Sequence, residues 1–290
     1  MQELQYFAPT TVEDACALLS RHGGRLLAGG TDLIAQMREG RRAVTHVVDL
    51  KQIPELSRIS RNNDGSWQIG AAATIGDLAR HEQFADEHAA LLAAAQLIGS
   101  LQIQNRASLG GNICNAAPSA DAVPLLISIG AEAEIVGSNG RRRVPVAAIA
   151  TGPGRTSLAG SEILISVLLP ALRPRSAGAY LRFTPRREMD IAIAGAAVAL
   201  RLDAAGAIAD ARITLASVAP VPLVAGEAQR HLLGQRPSLK LFASAAEIAG
   251  REARPISDAR GSADYRRDLV GVLTRRTLQQ CATDLGCDLS

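Results

Sequence analysis

The sequence predicts an α+β protein in two parts, and three observations carry that expectation. The first fifty residues alternate helical and strand patterns in a βαβ-like start. The middle holds two hairpin patterns around apolar helices. After Ala171–Gly178, a stretch rich in proline, glycine and charge, an antiparallel pair precedes three helical patterns. A length of 290 residues also suits two domains, at about 150 residues each. We expect a first domain over 1–172, split into a small α/β subdomain (1–55) and a larger α+β subdomain (56–172). We expect a smaller antiparallel sheet with helices over 177–290.

The elements follow in order. Thr10-Thr11-Val12-Glu13 is a capping-box pattern, and Val12, Ala15, Leu18 and Leu19 follow at helical spacing up to Gly23-Gly24. Arg25 to Ala28 is a short strand. Thr31-Asp32 caps a second helix reaching about Glu39, and Thr45 to Asp49 is a β-branched strand expected to pair in parallel. Arg58 to Ser60 and Trp67 to Gly70 form a hairpin turned by Asp64-Gly65. Asp86 to Ser100 reads as an Ala/Leu helix, Gln102 to Ala120 as a long glycine-containing loop, and Asp121 to Ile129 as a helix with Pro124 in its first turn. Ala131–Val136 and Arg141–Val144 make a second hairpin, and Ile163–Leu169 a buried strand. Ala194–Leu202 and Ala207–Val218 read as the later pair. Val224–Leu233, Leu239–Ala249 and Ala263–Cys281 read as helices.

Composition excludes several classes. The balance of 31 basic and 28 acidic residues leaves a net charge of +3, too little for a nucleic-acid footprint. Eight aromatic residues (Phe 4, Tyr 3, Trp 1) also argue against base stacking. Cys16, Cys114, Cys281 and Cys287 form no C-x-x-C pair, so neither a disulfide framework, a zinc site nor a self-contained iron–sulfur cluster is expected. No apolar run reaches the ~18 residues that span a bilayer; Ile191 to Leu200 stops short. Met1-Gln-Glu-Leu4 lacks a signal-peptide pattern, so a cytoplasmic location is expected.

Three segments could carry chemistry. Leu26 to Leu33 runs a strand through Gly29-Gly30 into a helix start, where free N–H groups and the helix dipole suit a phosphate. It is neither G-x-G-x-x-G nor a P-loop, and alone such a turn is common. Asn105 to Asp121 holds Gly110-Gly111 among Ser108, Asn112, Asn115 and Ser119; with the first turn it suits a ligand carrying two phosphates. Arg182 to Ile191 is a charged cluster whose plain reading is a solvated strand end. No Ser–His–Asp or Cys–His arrangement is legible, so no catalytic acid, base or nucleophile and no metal ligand is assigned. Cys114 reads as a small buried cysteine, and Tyr6 and Trp67 as packing residues.

Taken in order, four motifs resemble one family. They are L-L-A-G-G-T-D-L from Leu26, G-A-A-A-T-I-G-D-L from Gly70, R-A-S-L-G-G-N-I-C-N-A-A-P-S-A-D from Arg106, and R-R-E-M-D-I-A from Arg186. The tail Asp264 to Arg276 matches as well. The chain resembles, over essentially its whole length, the FAD-binding medium subunit of molybdenum hydroxylases of the xanthine dehydrogenase, carbon monoxide dehydrogenase and quinoline oxidoreductase type.

The resemblance implies an FAD-binding first domain. It implies that Leu27, Ala28, Gly29, Gly30, Thr31, Asp32 and Leu33, with Ser108, Leu109, Gly110, Gly111 and Asn112, hold the FAD pyrophosphate. Thr74 falls within the second motif. Ile98 matches a position near the adenine, and Leu164 an apolar contact to the flavin or adenine end. Asn115 and Asp121 match positions facing the ribose, ribityl or pyrophosphate region. Arg182 stands where many relatives carry Lys, which is a departure because the two are not interchangeable. The resemblance further implies a small iron–sulfur subunit and a large molybdopterin subunit as partners, in a dimer of heterotrimers, with clusters and molybdopterin cofactor only in those chains. Electrons would pass from the clusters to FAD and on to an external acceptor. A self-sufficient FAD-dependent oxidoreductase of the same superfamily is the alternative, and a flavin-free assembly protein a further one.

Overall fold

The computed structural model describes residues 4–186 and 189–289. Met1 to Glu3, on which the reading of the N-terminus rests, and Arg187 and Glu188 of the fourth motif lie outside these residues.

The βαβ start forms as expected. Thr11 caps the helix Val12–His22, its hydroxyl accepting the Asp14 N–H at 3.1 Å. The helix buries Val12, Ala15 and Leu19 against Val48, Leu56 and Ile165. Strands Gln5–Phe7 and Arg25–Leu27 flank His46–Asp49, both in parallel. Asp32 heads the second helix, Leu33–Arg38, without a side-chain cap bond; its carboxylate is turned elsewhere, as shown below. Tyr6 is not a packing residue: it is 57% exposed and hydrogen-bonds Asp49.

The middle builds an antiparallel sheet. The strand Ile163–Leu169 lies at its centre, between Trp67–Gly70 and Glu132–Gly137, with Ile59–Arg61 and Gly140–Pro145 at the edges. Trp67 is fully buried. The single helix expected over Asp86–Ser100 is instead two, Glu82–Glu87 and Ala89–Ala95, interrupted at His88 (φ −120°, ψ 36°). The break lets the His88 ring stack on Phe84 at 5.2 Å and meet the Trp67 edge at 6.2 Å. The loop expected over Gln102–Ala120 also folds, holding the helices Leu101–Gln104 and Leu109–Asn115. Pro124 sits in the first turn of the helix Val123–Ser128, as expected.

The later sheet has four strands: Ser176–Phe183, Ala194–Leu202, Ile208–Ala216 and Leu223–Val224. The first was not expected as a strand. It begins inside the linker stretch and pairs over its whole length, Ser176 with Arg201 through Phe183 with Ala194. Its neighbour carries Ala194, Ala196, Ala197 and Ala199, small residues that let elements approach both faces. On one face lie helices Gly226–Leu232, Leu239–Glu252 and Ala263–Asp284, burying Val198, Leu200, Phe242 and Val270. On the other lies the helix Val123–Ser128, whose core includes Leu126, Ala197 and Ala216. No helix among the described residues is long and apolar enough to cross a membrane.

Buried hydrogen bonding ties that helix to the sheet: the Ser128 hydroxyl lies 2.9 Å from Thr214 Oγ1 and 3.4 Å from the Ala197 carbonyl oxygen. Ser128→Ala leaves a buried hydroxyl short of a partner and is expected to lower stability by about 1–3 kcal/mol. Urea denaturation followed by far-UV circular dichroism checks this.

Candidate functional site

The first glycine turn leaves the carboxyl end of the parallel strand Arg25–Leu27 and enters the helix Leu33–Arg38, the position at which open parallel sheets present loops to ligands. It is pinned from below. Lys51 Nζ donates to the Ala28 carbonyl at 3.2 Å and to Asp49 at 2.6 and 2.7 Å. Burial pushes the Asp49 carboxyl up, but the Lys51 and Tyr6 hydrogen bonds outweigh it and hold the group below its usual range. Gly30 turns the chain at φ 76°, in the left-handed region. Gly29 has a different reason: a Cβ there would lie 1.9 Å from the Arg106 carbonyl oxygen.

The second glycine segment begins at that carbonyl. Ser108 bridges in antiparallel fashion to Thr74. Thr74 caps the helix Ile75–Arg80, reciprocally bonded with Asp77. Ser108 caps the helix Leu109–Asn115, its hydroxyl accepting the Gly111 N–H at 3.1 Å. The two glycines then differ. A Cβ on Gly110 would lie 2.5 Å from the Ala71 carbonyl oxygen, whereas one on Gly111 would meet only Ser108 Oγ, at 3.1 Å. Protein backbone demands the first; the second faces open space.

Between the two segments lies a cleft of about 350 Å³. Asn115 spans it, its Oδ1 accepting from Gln36 Nε2 at 3.4 Å and its side chain also hydrogen-bonding Asp32. Burial pushes the Asp32 carboxyl up, opposed by Asn115 and by the charge of Arg41. Asn112 Oδ1 is buried in the cleft wall without a partner. The charged lining groups are Arg25, Asp32, Arg42 and Glu162, and no histidine is among the lining residues. Cys114 lies on its wall as an exposed residue, yet the surrounding protein desolvates its thiol and pushes its pKa up to about 12, so it is not a ready nucleophile. Among the described residues no three His, Cys, Asp or Glu groups could hold a metal.

Most of the expected site residues meet here. Leu27 to Leu33, Ile98, Ser108, Gly110, Gly111, Asn112, Asn115 and Leu164 all line the cleft. Four do not. Leu109 is fully buried in the core behind it. Thr74 supports Ser108 from outside. Asp121 and Arg182 form a buried ion pair at 2.5 Å, with side chains 9% and 7% exposed. That corrects the solvated strand end expected for Arg182. Tyr180 completes the pair, its hydroxyl donating to Asp121 at 3.1 Å. Burial pushes the Asp121 carboxyl up to about 6, against the charge of Arg182 and the hydrogen bonds from Tyr180 and Arg182. Sequence reasoning missed Gln36, Arg42, Ala71, Thr156 and Leu158 on the cleft wall. Thr156 belongs to a two-residue strand, Arg155–Thr156, too short to leave a periodic pattern.

Comparison with known proteins agrees with this geometry. A family model described as the FAD binding domain in molybdopterin dehydrogenase matches residues 2–172. A second, the CO dehydrogenase flavoprotein C-terminal domain, matches residues 179–281. A xanthine dehydrogenase FAD-binding subunit of Escherichia coli O157:H7 is 32% identical over 283 residues, 97% of each chain. The carbon monoxide dehydrogenase medium chain of Hydrogenophaga pseudoflava is 33% identical over 276 residues, 94% of this chain and 95% of that one. A solved carbon monoxide dehydrogenase from the same organism, lacking the Mo-pyranopterin moiety, superposes with a TM-score of 0.92 at 32% identity, covering 97% and 98% of the two chains.

Two predictions follow from the site. Gly110→Ala drives a methyl into the Ala71 backbone and is expected to cost at least about 2 kcal/mol, whereas Gly111→Ala stays within about 1 kcal/mol of the parent. Thermal denaturation of the two variants side by side checks the contrast. Arg182→Met leaves Asp121 buried without its cation, at a cost of about 3–5 kcal/mol above about pH 7. The folded-state pKa of Asp121 already exceeds the unfolded value of about 3.9, and the variant raises it further. The deficit should therefore grow as pH rises through about 6 and shrink below it, as denaturation at about pH 5 and pH 8 will show.

Proposed function

The chain belongs to the family of FAD-binding flavoprotein subunits of molybdopterin dehydrogenases, and from that premise we propose that it is the electron-transfer subunit of a heterotrimeric molybdenum hydroxylase. The unpartnered acceptor Asn112 Oδ1, buried in a cleft between two glycine turns, is the observation that carries the reading. A buried polar atom without a partner is costly, and a dinucleotide's hydroxyl would supply the missing donor.

The residues present fit FAD. The backbone of Ala28–Leu33 and of Ser108–Asn112 would hold the diphosphate through main-chain N–H groups and the hydroxyls of Thr31 and Ser108. Gly111 leaves space for close approach. Ile98 and Leu164 offer apolar wall to a ring, and Asn115 keeps the two segments in register. Thr74 and Leu109 act from behind, by fixing Ser108 and its helix. Asp121 and Arg182 enter this reading as a structural pair outside the cleft.

Bound flavin supplies the redox chemistry, accepting and returning electrons singly or in pairs. The chain's own work is to bind and orient. Its cleft presents main chain, short polar groups and apolar wall, with no histidine and no nucleophile–base pair among the lining residues. That these relatives are an "FAD-binding subunit" and a "medium chain" supports a chain that works within a complex. We assign the iron–sulfur clusters to a small partner subunit and the molybdopterin cofactor to a large one, in a dimer of heterotrimers. We divide the chain into an FAD-binding domain over 1–172 (1–55 and 56–172) and a C-terminal domain over 177–290, and place it in the cytoplasm, where its four free cysteines stay reduced.

The purified chain is expected to carry one FAD, seen as two flavin absorbance bands and identified chromatographically after release. Gly111→Val is expected to fold and lose the cofactor. Retention of a full complement by that variant overturns the assignment of the cleft. A chain that oxidises or reduces a small organic substrate without partners favours the self-sufficient flavoprotein instead.

A further inference from the structure

A second cavity, of about 630 Å³, opens between the two halves of the chain. It shares no lining residue with the cleft. Its size is that of small-molecule sites. The helices around Leu91 and Leu125 give it an apolar floor, both leucines being buried.

Two polar atoms in this wall lack a partner: His88 Nε2 and Arg201 Nε, both shielded from solvent. His88 is only 5% exposed, and its ring is fixed by Phe84 and Trp67. Arg201 forms no ion pair among the described residues. Its cross-strand neighbour Asp210 lies instead 4.0 Å from Arg212 Nε. One buried orphan costs about 1–3 kcal/mol. Two of them in one leucine-floored cavity mark a place shaped for a polar group that the chain does not provide.

Charge selects the ligand class. The lining carries Asp86, Glu87, Asp210 and Asp284 beside Arg173 and Arg212. A phosphate dianion would meet four carboxylates around one compact double charge. A monocarboxylate on a ring-sized apolar body places one charge at the guanidinium and covers the leucines with the rest. We propose that this cavity is a second ligand site, which takes such a monocarboxylate, with Arg201 and the His88 Nε2–H donating to the carboxylate and the leucines covering the body. A phosphate would be the poorer ligand for the same arginine.

The test uses the full chain loaded with flavin, titrated separately with benzoate, benzamide and inorganic phosphate. Calorimetry gives the affinity. The single tryptophan, Trp67, whose ring touches His88, gives an independent fluorescence readout. Saturable benzoate binding at about 0.1–1 mM is expected, tighter than either benzamide or phosphate. Arg201→Gln should weaken benzoate about tenfold with flavin content unchanged. His88→Phe, which keeps the ring stack, should weaken it as well. No saturation by about 10 mM benzoate, equal affinity for benzamide, tighter phosphate, or an unchanged affinity in Arg201→Gln each overturns the proposal. The comparison of the three probes on the parent chain decides the matter even where a variant fails to fold.

Discussion

Two places where backbone meets backbone, with no side chain between, create the cleft on which the rest depends. Gly29 lies against the Arg106 carbonyl and Gly110 against Ala71. These contacts bring the end of a parallel strand and the start of a helix from a different sheet to the same spot. Any residue larger than glycine would hold the two segments apart. The Thr74–Ser108 bridge and the Asn115 link to Gln36 and Asp32 then fix the angle and width that the glycines permit. Close packing of this kind tolerates little change in volume, so the cleft is a property of the fold and not of mobile loops.

The polar arrangement points away from proton-transfer chemistry and toward binding. Charged groups near the first turn are already engaged: Asp49 by Lys51 and Tyr6, and Lys51 by the Ala28 carbonyl as well. Their effect is to hold the Ala28 carbonyl and so fix the turn that lines the cleft. Asp32 is the instructive exception. It stands at a helix start where a carboxylate normally caps, yet makes no cap bond and is turned to Asn115 instead. The helix start is thereby left open for a ligand. A site made of main chain and short polar side chains can orient a cofactor and tune it by hydrogen bonds, which is what a flavin requires of a protein.

Much of this was legible in the residues. The glycine pairs, the capped helices and both hairpins announce themselves through turn chemistry and periodicity. What was missed has physical causes. Two adjacent glycines each disfavour helix by about 1 kcal/mol, so Leu109–Asn115 reads as loop; the Ser108 cap and the buried Leu109 and Ile113, four apart, were the available signal. The break at His88 is a tertiary effect of Trp67 and Phe84, invisible to local pattern. The strand Ser176–Phe183 is hidden by the charged, proline-containing stretch just before it and by small residues whose partner strand is equally small. Arg182 reads as solvated because charge normally is. Only the fold shows that Asp121, distant in sequence, waits inside to pair with it.

The C-terminal part bears on the cleft only indirectly. Every residue lining the cleft falls between Leu19 and Leu164, so nothing from the four-stranded sheet touches it. Yet the helix Val123–Ser128, which follows the second glycine segment, buries its apolar face on that sheet and anchors Ser128 to Thr214. Asp121, just ahead of the helix, is held by Arg182 and Tyr180 from the same sheet. Loss of the sheet would expose Leu125 and Leu126 and leave Asp121 unpaired. The chain between Asn115 and Ile129 would lose its support, and with it the far end of the helix that carries Gly111 and Asn112. The second cavity differs in kind, since its walls come from both halves. Whatever fills it therefore reads the relative placement of the halves, while the cleft reads only the first.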